Sequence, residues 1–162
     1  MTLSAPSRTV ADLSYLLTHS GYVLATRMTA AMAEIGLTPR GYCVLFHAIE
    51  AERTQAELAA ISDMDKTTMV ATMDELERSG WAERHPSAHD RRARIVTVTE
   101  EGRRMAERGT RVADRVHREA VDSLPEKLRG PLLDALERLT EGHLATPVES
   151  PRPVRRARQA AR

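Results

Sequence analysis

TQAELAAISDMDKTTMVATMDELERSGWAERHPSAHDRRARIVTVT, the stretch from Thr54 to Thr99, decides the fold. Thr54-Gln55-Ala56-Glu57 is a capping box, in which hydroxyl and carboxylate each satisfy a backbone donor across the first turn. It opens a short helix with Leu58 and Ile61 inward, and Ser62-Asp63-Met64 makes the turn that follows. Asp65 caps a second helix that runs to about Ser79. Met69, Met73 and Leu76 fall on one face of it, and Lys66, Thr67, Thr68 and Thr72 fall elsewhere, near its N-terminal end. Gly80 ends that helix. Trp81 to His85 and Arg94 to Val98 are short strand candidates, and the segment between them, Pro86 to Ala93, is polar, basic and turn-prone. Two short helices, a strand, a basic loop and a strand make a helix-turn-helix with a β-wing, a device for holding one helix in a DNA major groove.

Outward from this stretch the chain reads as long helix. Towards the N-terminus, Leu13, Leu16, Leu17, Leu24, Met28, Met32 and Ile35 recur at helical spacing and predict one amphipathic helix over residues 9–35. Gly36 is its natural stop, and Gly21 is a weak point inside it, costing ~1 kcal/mol relative to Ala. Thr38-Pro39 starts the next helix, with Thr as cap and Pro at the first helical position. Tyr42, Leu45, Phe46 and Ile49 mark its buried face. On the other side, Thr99-Glu100-Glu101 opens a fifth helix with acid in its first turn, and Met105, Val112, Val116 and Ala120 continue it. Pro125 opens a last helix striped by Leu128, Leu132, Leu136 and Leu139. Gly130-Pro131 interrupts that stripe and predicts a kink or a restart. Residues 1–8 have no periodic pattern and are expected to fray. Residues 146–162, with Pro147, Pro151, Pro153 and their arginines, read as a disordered basic tail. The fold class is therefore mainly α with a small β-wing: about six helices, two or three short strands, and long flanking helices suited to a dimer interface.

Composition narrows the function. The chain has 162 residues, 29% charged and 41% hydrophobic, which fits one globular domain with a modest core. Aromatics are only 3%, so the core must come from Leu, Val, Ile, Met and Ala. No apolar run approaches a membrane span, and residues 1–8 lack the apolar region of a secretion signal. The single cysteine, Cys43, excludes an internal disulfide and is compatible with a reducing cytoplasm. The net charge of +1 says little by itself. Its distribution says more: basic charge gathers at Arg84, Arg91, Arg92 and Arg94 and again in the tail. There is no Gly-rich phosphate loop, nucleophile elbow or paired-carboxylate motif, so no enzyme reading has support. His85 and His89 straddle Pro86, and His117 and His143 are isolated, so neither a metal site nor a cofactor is expected.

The motifs together resemble the MarR family of bacterial winged-helix transcription regulators. Gly36-Leu37-Thr38-Pro39 resembles the family's entry to its second helix, and Gln55-Ala56-Glu57-Leu58-Ala59 its third. Asp65-Lys66-Thr67-Thr68 with Leu76-Glu77-Arg78-Ser79-Gly80 resembles its recognition helix. Asp90-Arg91-Arg92 followed by Val98-Thr99-Glu100-Glu101-Gly102 resembles its wing signature. The resemblance covers residues 9–144. It implies a DNA-binding core over 37–99, dimerisation helices over 9–35 and 99–144, and a homodimer offering two recognition helices to a palindromic operator on double-stranded DNA. For such two-fold dimers the half-sites lie about one helical turn apart.

Residue roles follow. Lys66, Thr67, Thr68 and Thr72 are the major-groove candidates, since short hydroxyls and a Lys at a helix N-terminus can meet phosphates or base edges. The family often carries Arg where Ala71 stands here. Arg92 is the sharpest wing candidate, because a wing-tip Arg can enter a narrow, electronegative minor groove. Asp90 is spaced to orient it or to hold the wing. Arg91 and Arg94 are phosphate contacts or strand-edge charges, and Gln55 is placed to touch a phosphate. In similar regulators small aromatic acids and drugs bind between the dimerisation helices and the winged helix. That implies an aromatic effector in a cleft lined by Tyr15, His19, Tyr22, Met28, Met32, Tyr42, Phe46 and His47. The alternatives are thiol-based redox sensing through Cys43, which needs an accessible, low-pKa cysteine, and a constitutive DNA-binding or architectural protein without effector.

Overall fold

The structure, a computed structural model, describes residues 12–88, 90 and 92–148. The frayed N-terminus and almost all of the basic tail expected from the sequence lie outside the described residues, as do His89 and Arg91. Among the described residues six helices and three strands follow one another. They are α1 (Leu13–Ala33), α2 (Pro39–Glu50), β1 (Arg53–Thr54), α3 (Gln55–Ile61), α4 (Lys66–Arg78), β2 (Ala82–Pro86), β3 (Arg94–Val98), α5 (Glu100–Asp122) and α6 (Glu126–Glu141). None of these helices is long and apolar enough to cross a membrane.

The local rules written in the sequence are carried out atom by atom. Gly36 at φ 74° and Gly80 at φ 70° end their helices in the left-handed region, where a Cβ would be strained. The Thr38 hydroxyl accepts from Gly41 N–H at 3.1 Å, with Pro39 in the first helical position. The Thr54–Glu57 capping box is complete in both directions. Asp65 accepts the N–H of Thr68 at 2.8 Å and caps α4. The turn between α3 and α4 puts Asp63 at φ 49°, a conformation that Asp tolerates better than most residues.

The sheet has the order β1-β3-β2 and is antiparallel throughout. β1 is the third short strand, at a position the sequence did not mark: Arg53 and Thr54 pair with Val96 and Ile95, which ties the start of α3 to the wing. β2 runs Ala82↔Val98 to Pro86↔Arg94 and is an edge strand, so Pro86 at its end costs no ladder bond to a further strand. The core gathers where α1, α2, α3, α4 and the sheet converge, with Met32, Val44, Leu45, Leu58, Met69, Met73, Leu76 and Val96 all buried. With so few aromatics, it is Leu, Met and Val that fill this space.

α5 joins the core through small residues. Met105, Ala106, Ala113 and Val116 are buried, and Tyr42 on α2 shares a hydrogen bond of 3.2 Å with Thr110. At Gly102 the helix lies directly on the backbone of Trp81, and a Cβ there would fall 1.9 Å from the Trp81 carbonyl oxygen. Residues up to Ala120 form one compact unit and those from Val121 another. In the second, Arg129 donates to the Asp122 carboxylate at 2.7 Å and to the Leu124 carbonyl at 3.0 Å. α6 itself runs unbroken through Pro131, so of the expected kink or restart the restart does not occur. Pro131 sits in the second turn, where its missing N–H deletes a single ladder bond and helical geometry resumes on both sides.

The Gly102 contact gives a direct test. Gly102→Ala is expected to lower stability by at least about 2 kcal/mol, because the clash is with backbone and cannot be relieved by a rotamer change. Gly21→Ala, where no atom lies within 4 Å of the new methyl, is expected to raise stability by about 0.5–1 kcal/mol. Thermal or denaturant unfolding of the two variants beside the parent protein reads both.

Candidate nucleic-acid interface

α4 is the element around which the site is built. Met69, Met73 and Leu76 bury one stripe of it, as their spacing requires. Its solvent edge is tied to the wing by Arg84 on β2. The Arg84 guanidinium donates to the carboxylates of Glu77 (3.0 Å from Nε) and Asp74 (2.6 Å), and Arg84 backbone N–H donates to Glu77 at 2.9 Å. The Arg84 hydrogen bonds hold the Glu77 carboxyl below its ordinary value, and Glu77 in turn pushes the Arg84 guanidinium further up. Arg84 counted as part of the basic cluster in the sequence. In the fold its charge is engaged by two acids.

The wing turn is held by Asp90. Its carboxylate accepts the backbone N–H of Arg92 at 2.8 Å, its carbonyl accepts from Ala93 at 2.9 Å, and Ser87 N–H donates to the Ala93 carbonyl at 3.1 Å. Of the two roles open to Asp90, the geometry supports the second: it shapes the turn. Arg92 is exposed at the tip and Arg94 is exposed at the start of β3.

Two hollows flank α4. The first, of about 520 Å³, lies between α3, the N-terminal end of α4 and the wing. Gln55, Lys66, Arg92 and Arg94 all wall it. Four residues singled out in the sequence, from three separate segments, thus meet around one basic concavity. The second, of about 960 Å³, is walled mainly by apolar surface from Leu24, Ala25, Met28 and Ala71, with Arg40, Glu75 and His117 as its ionisable groups. Thr67, Thr68 and Thr72 border this cleft and not the first hollow. Thr72 is corrected as a groove contact. It is 6% exposed, on the inward side of α4, and its hydroxyl donates to the Thr68 carbonyl at 2.9 Å. The Thr68 hydroxyl is likewise engaged, donating to Asp65 at 2.9 Å.

The expected cleft of eight aromatic, Met and His residues does not assemble as read. Met28 alone of the eight walls the larger cleft. Met32 is fully buried in the core. Tyr15 and Tyr22 are 65% and 68% exposed, because the helical period turns them away from the side of α1 that carries Met28. The ring of Tyr15 stacks on His19 at 5.4 Å. On α2 the ring of Phe46 contacts those of Tyr42 and His47, and His47 Nδ1 lies 2.9 Å from Glu50. Arg40 and His117, which do wall the cleft, carry no local motif; only their meeting across α2 and α5 marks them. Cys43 is half-buried, its thiol donating to the Ser62 hydroxyl at 3.3 Å.

A wing paired to a buried helix-turn-helix, with a basic hollow between them, defines a winged helix-turn-helix protein. Comparison with known proteins narrows this further. The model of the MarR family matches residues 35–93. The transcriptional repressor Rv2887 of Mycobacterium tuberculosis is 30% identical over 132 residues, spanning 81% of this chain and 92% of the repressor. Its structure in complex with p-aminosalicylic acid superposes with a TM-score of 0.66 at 26% identity, over 78% of this chain and 97% of that one. CouR from Rhodococcus jostii RHA1, bound to p-coumaroyl-CoA, aligns over 88% of this chain and 100% of its own at 29% identity and a TM-score of 0.70. CouR bound to a 23-mer DNA duplex aligns at 26% identity and a TM-score of 0.71, over 83% and 99% of the two chains. A MarR-family regulator from Rhodococcus sp. RHA1 reaches a TM-score of 0.74 at 28% identity over 88% of this chain and 100% of that one. The chain belongs to the MarR family of transcriptional regulators.

The Arg84 clamp carries a pH dependence of known sign. The folded-state value of Glu77 lies below its ordinary 4.5, so the stabilisation is fully present above that value and is lost as pH falls through the folded one. Glu77→Gln is expected to cost about 1 kcal/mol at pH 7, with the gap to the parent protein closing in acid. Denaturant midpoints measured across pH 3–7 check both the size and the direction.

Proposed function

We propose that this protein is a homodimeric repressor that seats α4 in the major groove of a palindromic operator and is released by a small aromatic ligand. The observation that carries the reading is the basic hollow, in which Gln55, Lys66, Arg92 and Arg94 converge beside the N-terminus of α4. Cations on a concave surface next to an exposed helix face are suited to a phosphodiester backbone, and an exposed Arg92 at the wing tip is suited to the adjacent minor groove. The DNA-bound structure of CouR, a relative at 26% identity, supports the same assignment.

Dimerisation is supported by apolar surface that a single chain leaves uncovered. Leu13, Tyr15 and Leu16 on α1 are exposed, as are Leu128, Leu132 and Leu133 on α6, where no residue is buried. Apolar exposure of that density marks an association surface. In this reading the DNA-binding core spans residues 37–99 and the dimerisation helices span 9–35 and 99–144.

The larger cleft is the proposed effector site. Its volume suits a drug-sized or aromatic-acid ligand, and Arg40 and His117 offer polar anchors to a carboxylate or phenol. The cleft is walled both by α4 and by α1 and α5, so a ligand that fits one spacing of these helices better than another shifts the position of α4. Relatives solved with p-aminosalicylic acid and p-coumaroyl-CoA support this ligand class.

The test is operator binding followed by fluorescence anisotropy at fixed salt, using duplexes selected from the DNA upstream of the protein's own gene. Arg92→Ala is expected to weaken binding by about tenfold or more while leaving the circular dichroism and the dimer mass unchanged. Equal affinity of variant and parent at matched salt would remove the wing from the interface. Addition of p-aminosalicylate to the complex is expected to lower the affinity, and an Arg40→Ala variant is expected to need more of it.

A further inference from the structure

The outward face of α4 presents an unusual chemistry for a helix that reads bases. From Thr67 to Glu77 it contains no Arg, Lys, Asn or Gln, the side chains that make paired hydrogen bonds to purine edges, and Lys66 at its start walls the basic hollow. Its polar groups are largely committed. The Thr68 hydroxyl is bound to Asp65, the Thr72 hydroxyl to the Thr68 carbonyl, and Asp74 and Glu77 to Arg84. Besides Lys66, the exposed residues of the first two turns are Thr67, Val70 and Ala71, spaced i, i+3 and i+4 and therefore one continuous patch.

Val70 is the largest apolar side chain of that patch. It is 37% exposed, although a β-branched apolar side chain on a short helix gains nothing from solvent and slightly disfavours the helix. It walls neither of the two hollows: Thr67 and Ala71 border the larger cleft, and Lys66 and Met69 border the basic one. Val70 thus lies between the two hollows, on the flank of α4 that a groove gripped by the basic hollow would meet. In the major groove the only apolar feature a base pair displays is the thymine 5-methyl group.

We propose that Val70, flanked by Ala71 and the methyl of Thr67, reads thymine by packing against its 5-methyl group, so that half-site recognition depends on methyls instead of paired hydrogen bonds. This rests on α4 being the groove helix. Burial of one methyl on another apolar group changes affinity by about fourfold, and a palindrome bound by two copies doubles the exponent, to about fifteenfold.

The experiment has two stages, both with the full-length protein. First, duplexes are enriched from a randomised 30-mer library. Second, the enriched duplex is resynthesised with deoxyuridine in place of each thymidine in turn, which deletes the methyl and leaves the hydrogen-bonding edges intact. The expected result is one or two thymines per half-site whose symmetric replacement weakens binding by about tenfold or more. Val70→Ala, a substitution at an exposed site that favours the helix, is expected to bind the thymine duplex more weakly and to lose most of its response to deoxyuridine at those positions. Failure to enrich any sequence would overturn both this proposal and the groove reading beneath it. Enrichment of a site indifferent to deoxyuridine would overturn this proposal alone. An equal deoxyuridine penalty in Val70→Ala and the parent would also overturn it, since the methyls would then act through duplex shape.

Discussion

The rotation of α4 about its own axis is the constraint on which the rest depends. Burying Met69, Met73 and Leu76 against the core leaves one arc of the helix for solvent, and the arc determines what the helix can touch. A turn of one residue, about 100°, would bring Val70 inward and expose Met69. The hydrophobic stripe alone would permit some rocking. The Arg84 clamp removes it, because it holds α4 at its C-terminal half through two carboxylates one turn apart. The stripe and the clamp act on adjacent faces of the helix about a quarter-turn apart, so neither substitutes for the other.

α4 is also the wall shared by the two hollows. On one side its N-terminal residues complete a basic concavity with α3 and the wing. On the other, Thr68, Ala71, Thr72 and Glu75 complete an apolar cleft with α1, α2 and α5. Under the proposed function, a ligand that shifts this shared wall changes the affinity of the other, and any such coupling is reciprocal: whatever a cleft ligand did to DNA affinity, DNA would do to the affinity of the cleft ligand. Such coupling requires no long pathway here, since the two surfaces are separated by the thickness of one helix.

The elements of the fold were legible in the sequence because their signals are local. Caps at Thr38, Thr54 and Asp65, stops at Gly36 and Gly80, and the buried stripe of α4 each lie within a few residues of what they control. The wing residues Arg92 and Arg94 and the helix residues Gln55 and Lys66 were singled out in the sequence, and the fold brings them around one hollow. Properties set by packing between distant segments were not. Arg84 reads as one more basic residue until β2 places it over Glu77 and Asp74. Thr72 reads as a polar surface residue until the helical phase turns it inward. The cleft reading failed for the same reason: aromatic and Met residues are conspicuous in a sequence, but Tyr15 and Tyr22 point to the opposite side of α1 from Met28. Arg40 and His117, 77 positions apart in the chain, meet only in three dimensions.

Thr99 closes the wing and opens α5 in a single residue. Its N–H donates to the Trp81 carbonyl at 3.1 Å, its hydroxyl donates to the Gly80 carbonyl at 2.7 Å, and the same hydroxyl accepts the Gly102 N–H at 3.0 Å. With Gly102 seated on Trp81, the end of α4, the base of the wing and the first turn of α5 behave as a welded joint. α5 is 23 residues long, or about 34 Å. As a lever fixed at that joint it converts a tilt of about 5° into a movement of about 3 Å at its far end. The gearing also runs backwards: a displacement of a few ångströms imposed along α5 far from the wing arrives at its first turn as a small change of angle.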